Sequence, residues 1–189
     1  MSETFTVSCC RFEDNLTQGY TPGGAVHAVS NVTNIFKDCR FQRNNSTRSS
    51  PGAGAVYAGG EPLFRNCVFI DNEAANEGGA IVGGGYSLEI EDCVFIGNVA
   101  ASGAAVKDLY STHPHIAGST FFANRTTSPN GAAIEGSFLL PERCIVAGTF
   151  NGYGIIDHYG GSLAYCCCYF QNEAGHTIGM ISFPENGII

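Results

Sequence analysis

Five segments of this chain repeat one pattern at a nearly fixed interval, and that interval limits the folds open to it. They read "VSCCRFEDN" (7–15), "FKDCRFQRN" (36–44), "FRNCVFIDN" (64–72), "IEDCVFIGN" (90–98) and "IAGSTFFAN" (116–124). Aligned on the fourth residue, they superpose Cys10, Cys39, Cys67, Cys93 and Ser119. Two residues later stand Phe12, Phe41, Phe69, Phe95 and Phe121. Three residues after those come Asn15, Asn44, Asn72, Asn98 and Asn124. Three residues before the anchor lie Val7, Phe36, Phe64, Ile90 and Ile116. Two weaker copies, "PERCIVAGT" (141–149) and "AYCCCYFQN" (164–172), extend the series with Cys144 and Cys167 as anchors. A second motif alternates with the first: "GGAV" (23–26), "GAV" (54–56), "GGAI" (78–81), "GAAV" (103–106) and "GAAI" (131–134), with fainter forms at 154–156 and 176–178.

A unit of this length admits few architectures. Leucine-rich repeats share it but require a leucine consensus, and here phenylalanine fills the core column. Helical repeats require apolar residues at a 3.6-residue period, which glycine-rich joints every ten residues or so would break. Short strands fit instead. In "LEIEDCVF", Leu88 and Ile90 alternate with Glu89, Glu91-Asp92 turns a corner, and Cys93 and Phe95 then point inward, with Val94 and Ile96 outward or partly covered. The Gly-Ala-Val/Ile segment supplies a third strand. Three strands per turn, stacked turn on turn about 4.8 Å apart, predict an all-β, right-handed parallel β-helix of the pectin-lyase-like kind, with six to seven turns of 23–29 residues over 1–189 as a single domain. Each column then becomes a ladder. Phenylalanines stack inside, and cysteines sit beside them as small apolar groups. The asparagines are expected to mark a bend and to hydrogen-bond along the axis.

The pairing of "GGAI" with "FIGN" and of "GGAV" with "FQRN" resembles the Gly-Gly-Ala-Ile/Leu/Val and Phe-x-x-Asn repeats of polymorphic outer membrane proteins, over roughly residues 5 to 172. The resemblance implies a β-helical passenger or stalk on a cell surface, often adhesive, and identifies no binding residue. Met1 leads into Ser-Glu-Thr with no basic or apolar leader, so as written the chain would stay in the cytosol. The expected placement is at a cell surface or outside the cell as part of a longer chain. Neither end carries the polar cap that a solenoid needs, which adds end-to-end self-association to the expected partners.

A formal net charge of -8, with nine Lys plus Arg, argues against nucleic acid or anionic lipid as a partner, since both require a basic face. The cysteines in the anchor column are expected to be buried reduced thiols, while Cys9, Cys166 and Cys168 are expected to face away from it. No Cys-x-x-Cys pair occurs and the histidines are scattered, so no metal or other cofactor is expected. Asn-x-Ser/Thr sequons at Asn15, Asn31, Asn44, Asn45 and Asn124 arise partly from the ladder itself and read first as structural.

Many parallel β-helices act on polysaccharides, and that chemistry needs carboxylates about 5 to 9.5 Å apart. Asp14 with Asp71, and Asp38 with Asp92, come nearest, but neither pair falls in consecutive turns. "HPH" (113–115) and "DHYGG" (157–161) remain as fragments that read first as polar loops. No catalytic, cofactor-binding or metal-binding residue is therefore assigned. The sequence favours a non-enzymatic, adhesin-like module binding a protein or glycan, with a carbohydrate-active or carbohydrate-binding β-helix as the alternative. The long polar excursions at 16–22 and 45–53 are the expected contact regions.

Overall fold

A computed structural model describes residues 4–28, 32–49, 51–111, 113–179 and 181–182. The described residues form a coil of short strands, and every strand pairing is parallel. One coil runs through strands Glu61–Arg65, Val68–Ile70, Glu73–Ala74 and Ile81–Gly83; the next repeats it with Glu89–Glu91, Val94–Ile96, Val99–Ala100 and Val106–Asp108. Stacking of equivalent strands builds four long sheets, of six, seven, five and seven strands among the described residues, and Ser162–Leu163 pairs with Ile181–Ser182 in a fifth, two-stranded sheet at the C-terminal end. Seven strands in the second sheet match the seven anchors in the sequence.

The first five coils thus have four strands each rather than the three expected; among the described residues the last two coils show no such additional strand. The addition is the two-residue strand after the asparagine, such as Asn45–Ser46 or Arg125–Thr126. Two residues are too few for an alternation of apolar and polar side chains to show. What holds these strands in line is the asparagine ladder beside them.

The anchor and phenylalanine columns form the core. Phe12, Phe41, Phe69, Phe95 and Phe121 stack almost face on face, with ring centroids 4.6–4.8 Å apart and planes within 4°. A shorter stack, Phe36 on Phe64, meets this column edge-on. Cys39, Cys67, Cys93, Cys144 and Cys167 are buried, as is Ser119 in the same column. Their thiols donate to backbone carbonyls: that of Cys67 to Phe36 and Arg65, that of Cys144 to Ile116 and Glu142. Cys9 and Cys166 are exposed and Cys168 is partly so.

The corners depart from expectation in one respect. The left-handed residue is the one before each asparagine, not the asparagine: Asp14, Arg43, Asp71, Gly97 and Ala123 all have φ between 52° and 64°. A second left-handed column precedes the anchors and includes Asp38, Asn66, Asp92 and Gly118. Asparagine is freed from the bend to turn its amide inward, and Asn44, Asn72, Asn98 and Asn124 are buried.

Candidate functional site

The carboxylates singled out in the sequence serve the corners. Asp14 takes a two-pronged ion pair from Arg43 in the next coil, and the Arg43 hydrogen bond holds its carboxyl below the usual value. Asp38 accepts from the Asn66 amide at 2.6 Å. Asp71 and Asp92 each lean over a glycine of the following coil, Gly97 and Gly118. Among the sequons, Asn44 and Asn124 are locked in the ladder, Asn15 and Asn45 are reachable from solvent, and Asn31 lies outside the described residues. The excursions at 16–22 and 45–53 contribute Gly19, Tyr20, Thr47, Arg48 and Ser49 to a shallow pocket of about 370 Å³.

A more apolar pocket, of about 390 Å³, opens at the corner where the fourth sheet passes into the first, toward the C-terminal end of the coil. Its lining includes Tyr110, Ser111, His113, Phe138 and Tyr159. The strands beneath hold Lys107 in register with Glu135, and Gly136 with Asp157. Two residues past Asp108, Gly136 and Asp157, in three consecutive coils, come Tyr110, Phe138 and Tyr159. The Phe138 and Tyr159 rings lie 6.4 Å apart and nearly parallel, and the His113 ring is 6.0 Å from Phe138. All three aromatic rings reach solvent: Tyr110 is 72% exposed, Phe138 40% and Tyr159 80%.

Two buried carboxylates lie under this corner. Asp108 accepts the Ser111 hydroxyl at 2.6 Å and the Ser111 backbone N–H at 3.2 Å. Burial pushes its carboxyl up to about 6, against those hydrogen bonds. Asp157 accepts three backbone N–H groups, from Phe138, Tyr159 and Ser162, at 3.0–3.3 Å. Burial works to raise it as well, but its hydrogen bonds from Ser162, Tyr159 and Phe138 outweigh burial and hold it below the usual value.

On the outer face of the fourth sheet, Lys107 donates to Glu135 at 2.7 Å, and His158 Nε2 lies 2.7 Å from the same carboxylate oxygen and 3.2 Å from Lys107 Nζ. Burial would raise the Glu135 carboxyl, yet the charge and hydrogen bond of Lys107, joined by His158, bring it below the usual value. The Glu135 side chain is only 7% exposed and that of Lys107 11%, so the pair is a sealed ion pair that His158 covers from outside.

A family model described as right handed beta helix region matches residues 1–165. The chain belongs to the right-handed β-helix family. No curated protein and no solved structure matches it. Within this right-handed β-helix, "HPH" and "DHYGG" converge although 44 residues separate His113 from Asp157. "DHYGG" supplies the loop anchor Asp157, the His158 of the charged cluster and the Tyr159 ring. Gly161, at φ 91°, leaves room for the Phe138 ring, which a Cβ there would meet at 3.1 Å. Tyr110 and Phe138 escaped the sequence reading because no repeat motif contains them. The available signal was an aromatic three to five residues after the later Gly-Ala-Val/Ile segments: Tyr86, Tyr110, Phe138 and Tyr159.

Proposed function

We propose that the protein is a non-enzymatic, adhesin-like binding module displayed at a cell surface, and that it takes a glycan at the aromatic corner. The observation that carries this reading is the run of Tyr110, Phe138 and Tyr159 over three consecutive coils beside one pocket. Exposed aromatic rings beside one pocket offer apolar faces for the C–H faces of sugar rings, while Ser137 and His113 offer hydrogen bonds to hydroxyls. The carboxylates nearest the pocket favour binding over hydrolysis. Asp108 and Asp157 are buried and committed to loop N–H groups, and Glu135 is committed to Lys107, whereas glycoside cleavage needs two carboxyl groups facing the substrate. The Gly-Gly-Ala-Ile and Phe-x-x-Asn repeats, shared in kind with polymorphic outer membrane proteins, support the surface placement.

A glycan array followed by calorimetry on the hits tests this. Binding is expected to weaken at least about tenfold in Tyr159→Ala, the loss of one stacked aromatic contact being worth about 1.4 kcal/mol or more. Absence of any glycan hit, or hits untouched by both Tyr159→Ala and Phe138→Ala, would overturn the proposal. Shortened or unsaturated sugars appearing during incubation would favour the carbohydrate-active alternative instead.

A further inference from the structure

Phe138 and Tyr159 lie 21 residues apart, in different coils, and neither sits in a strand. Their rings are nevertheless held nearly parallel, and Phe138 is held in the left-handed region at φ 54°. A bulky residue in that conformation costs about 1–2 kcal/mol and persists only when its surroundings fix it. One atom is placed to do so: Asp157 Oδ1 accepts the backbone N–H of Phe138 at 3.3 Å and that of Tyr159 at 3.2 Å. Asp157 Oδ2 takes the Ser162 N–H at 3.0 Å, closing the turn that returns through Gly160 and Gly161. Asp157 as a residue is 3% exposed, so these bonds are largely shielded from water. Asp108, two coils earlier in the same column, holds only its own loop through Ser111. Of these two carboxylates, it is Asp157 that ties together the loops of two coils.

We infer that Asp157 is the positioning residue of the aromatic corner, setting the spacing of the Phe138 and Tyr159 rings by gripping both backbones through one carboxylate oxygen. Its role toward a ligand rests on the glycan reading above; its grip on the two loops does not. The two substitutions that matter are Asp157→Ala and Asp157→Asn. An asparagine keeps one oxygen, which satisfies most donors when turned toward Phe138 and Tyr159, and this leaves its NH₂ facing the Ser162 N–H.

Amide hydrogen exchange by NMR, on the free protein, reads each of these bonds separately. In Asp157→Ala the Phe138 and Tyr159 amides are expected to exchange about 10- to 100-fold faster, as for a lost buried hydrogen bond, with Phe121 and Ile134 unchanged. The cross-relaxation between the Phe138 and Tyr159 rings should disappear with them. In Asp157→Asn those two amides should stay slow, the ring-to-ring signal should persist, and only the Ser162 amide should speed up. The inference fails if Asp157→Ala leaves both amides slow. It also fails if Asp157→Asn releases all three amides or none, a result that decides the matter even where the alanine variant does not fold. An intact wild-type pattern in a protein that binds no glycan would sink the functional reading alone.

Discussion

Asn98 shows how completely one side chain can be used. Its NH₂ donates to the Phe69 carbonyl at 3.1 Å and to Asn124 Oδ1 at 3.0 Å, while its own Oδ1 accepts the backbone N–H and the amide of Asn72 at 3.0 and 2.9 Å. Asn44, Asn72 and Asn124 donate equivalently to Phe12, Phe41 and Phe95. Asn98→Asp would turn an acceptor toward two acceptors in a buried site. It is expected to cost about 3 kcal/mol or more at neutral pH, read as a lower urea midpoint, with partial recovery in acid where the carboxyl can donate again. Asp108 is the opposite case, a buried charge whose neutral form is preferred. Its folded value of about 6 lies above the ordinary 3.8, so the folded protein takes up the proton first and gains stability as pH falls from about 7 to below 4. Asp108→Asn keeps a donor and an acceptor for Ser111 without the charge. The variant should be more stable above pH 7, by up to about 3 kcal/mol, with the advantage gone below about pH 4 in a pH series of thermal melts. Burial also raises the Cys39 thiol, and the hydrogen bond with Cys67 followed by burial raises that of Cys93, so both should react with a thiol reagent far more slowly than Cys9 and Cys166.

The strands are short because the corners are closely spaced, and the corners obey local rules. In the column before the asparagines, Gly97 and Gly148 adopt the left-handed conformation freely, whereas Ala123 adopts it at φ 54° against the clash of its Cβ. Ala123→Gly is expected to raise stability by about 0.5–1 kcal/mol, seen as a higher melting temperature. The glycine that opens each Gly-Ala-Val/Ile strand answers to close packing between coils. A Cβ on Gly79 would lie 2.1 Å from the Ala104 carbonyl oxygen and 2.7 Å from the Val99 nitrogen, so the two coils could not keep their spacing. The aromatic corner is built of the same parts. Its loops follow strands of the fourth sheet, and buried carboxylates take the place that asparagines hold elsewhere as acceptors for turn N–H groups.

Strand pairing joins each coil only to its neighbours, so the molecule behaves as a stack whose units can be counted out. Residues 73–98 make one coil of 26 residues, from the strand after Asn72 through Asn98. Deleting them joins Asn72 to Val99, brings Phe69 onto Phe121 and leaves Lys107 to Ser162 untouched. That shortened chain is expected to retain its β-sheet circular dichroism and the slow Phe138 and Tyr159 amides, at a lower melting temperature. Loss of the fold would show that coils are not independent units. The outer face of the second sheet also changes along this stack, from Arg11, Glu13, Arg40 and Gln42 in the first two coils to Val68, Ile70, Val94 and Ile96 in the next two, with Phe122, Ile145 and Phe170 exposed beyond.

The columns of Cys67, Phe69 and Asn72 were legible in the sequence because each residue meets its own kind one coil away, so packing writes itself as a period. Coil number, parallel pairing and the buried thiols follow from that period. The fourth strand was not legible, since Glu73–Ala74 is too brief to carry a pattern. Nor was the bend: the left-handed conformation at Asp71 and Arg43 lies in the backbone, and residue type there varies. The aromatic corner was decided by tertiary structure alone. Tyr110, Phe138 and Tyr159 are spaced 28 and 21 residues apart, in loops of different length and with no shared motif. Only when the strands beneath them stack in register does Asp157 come under both Phe138 and Tyr159, because a carboxylate can bridge two loops only within hydrogen-bonding distance of both.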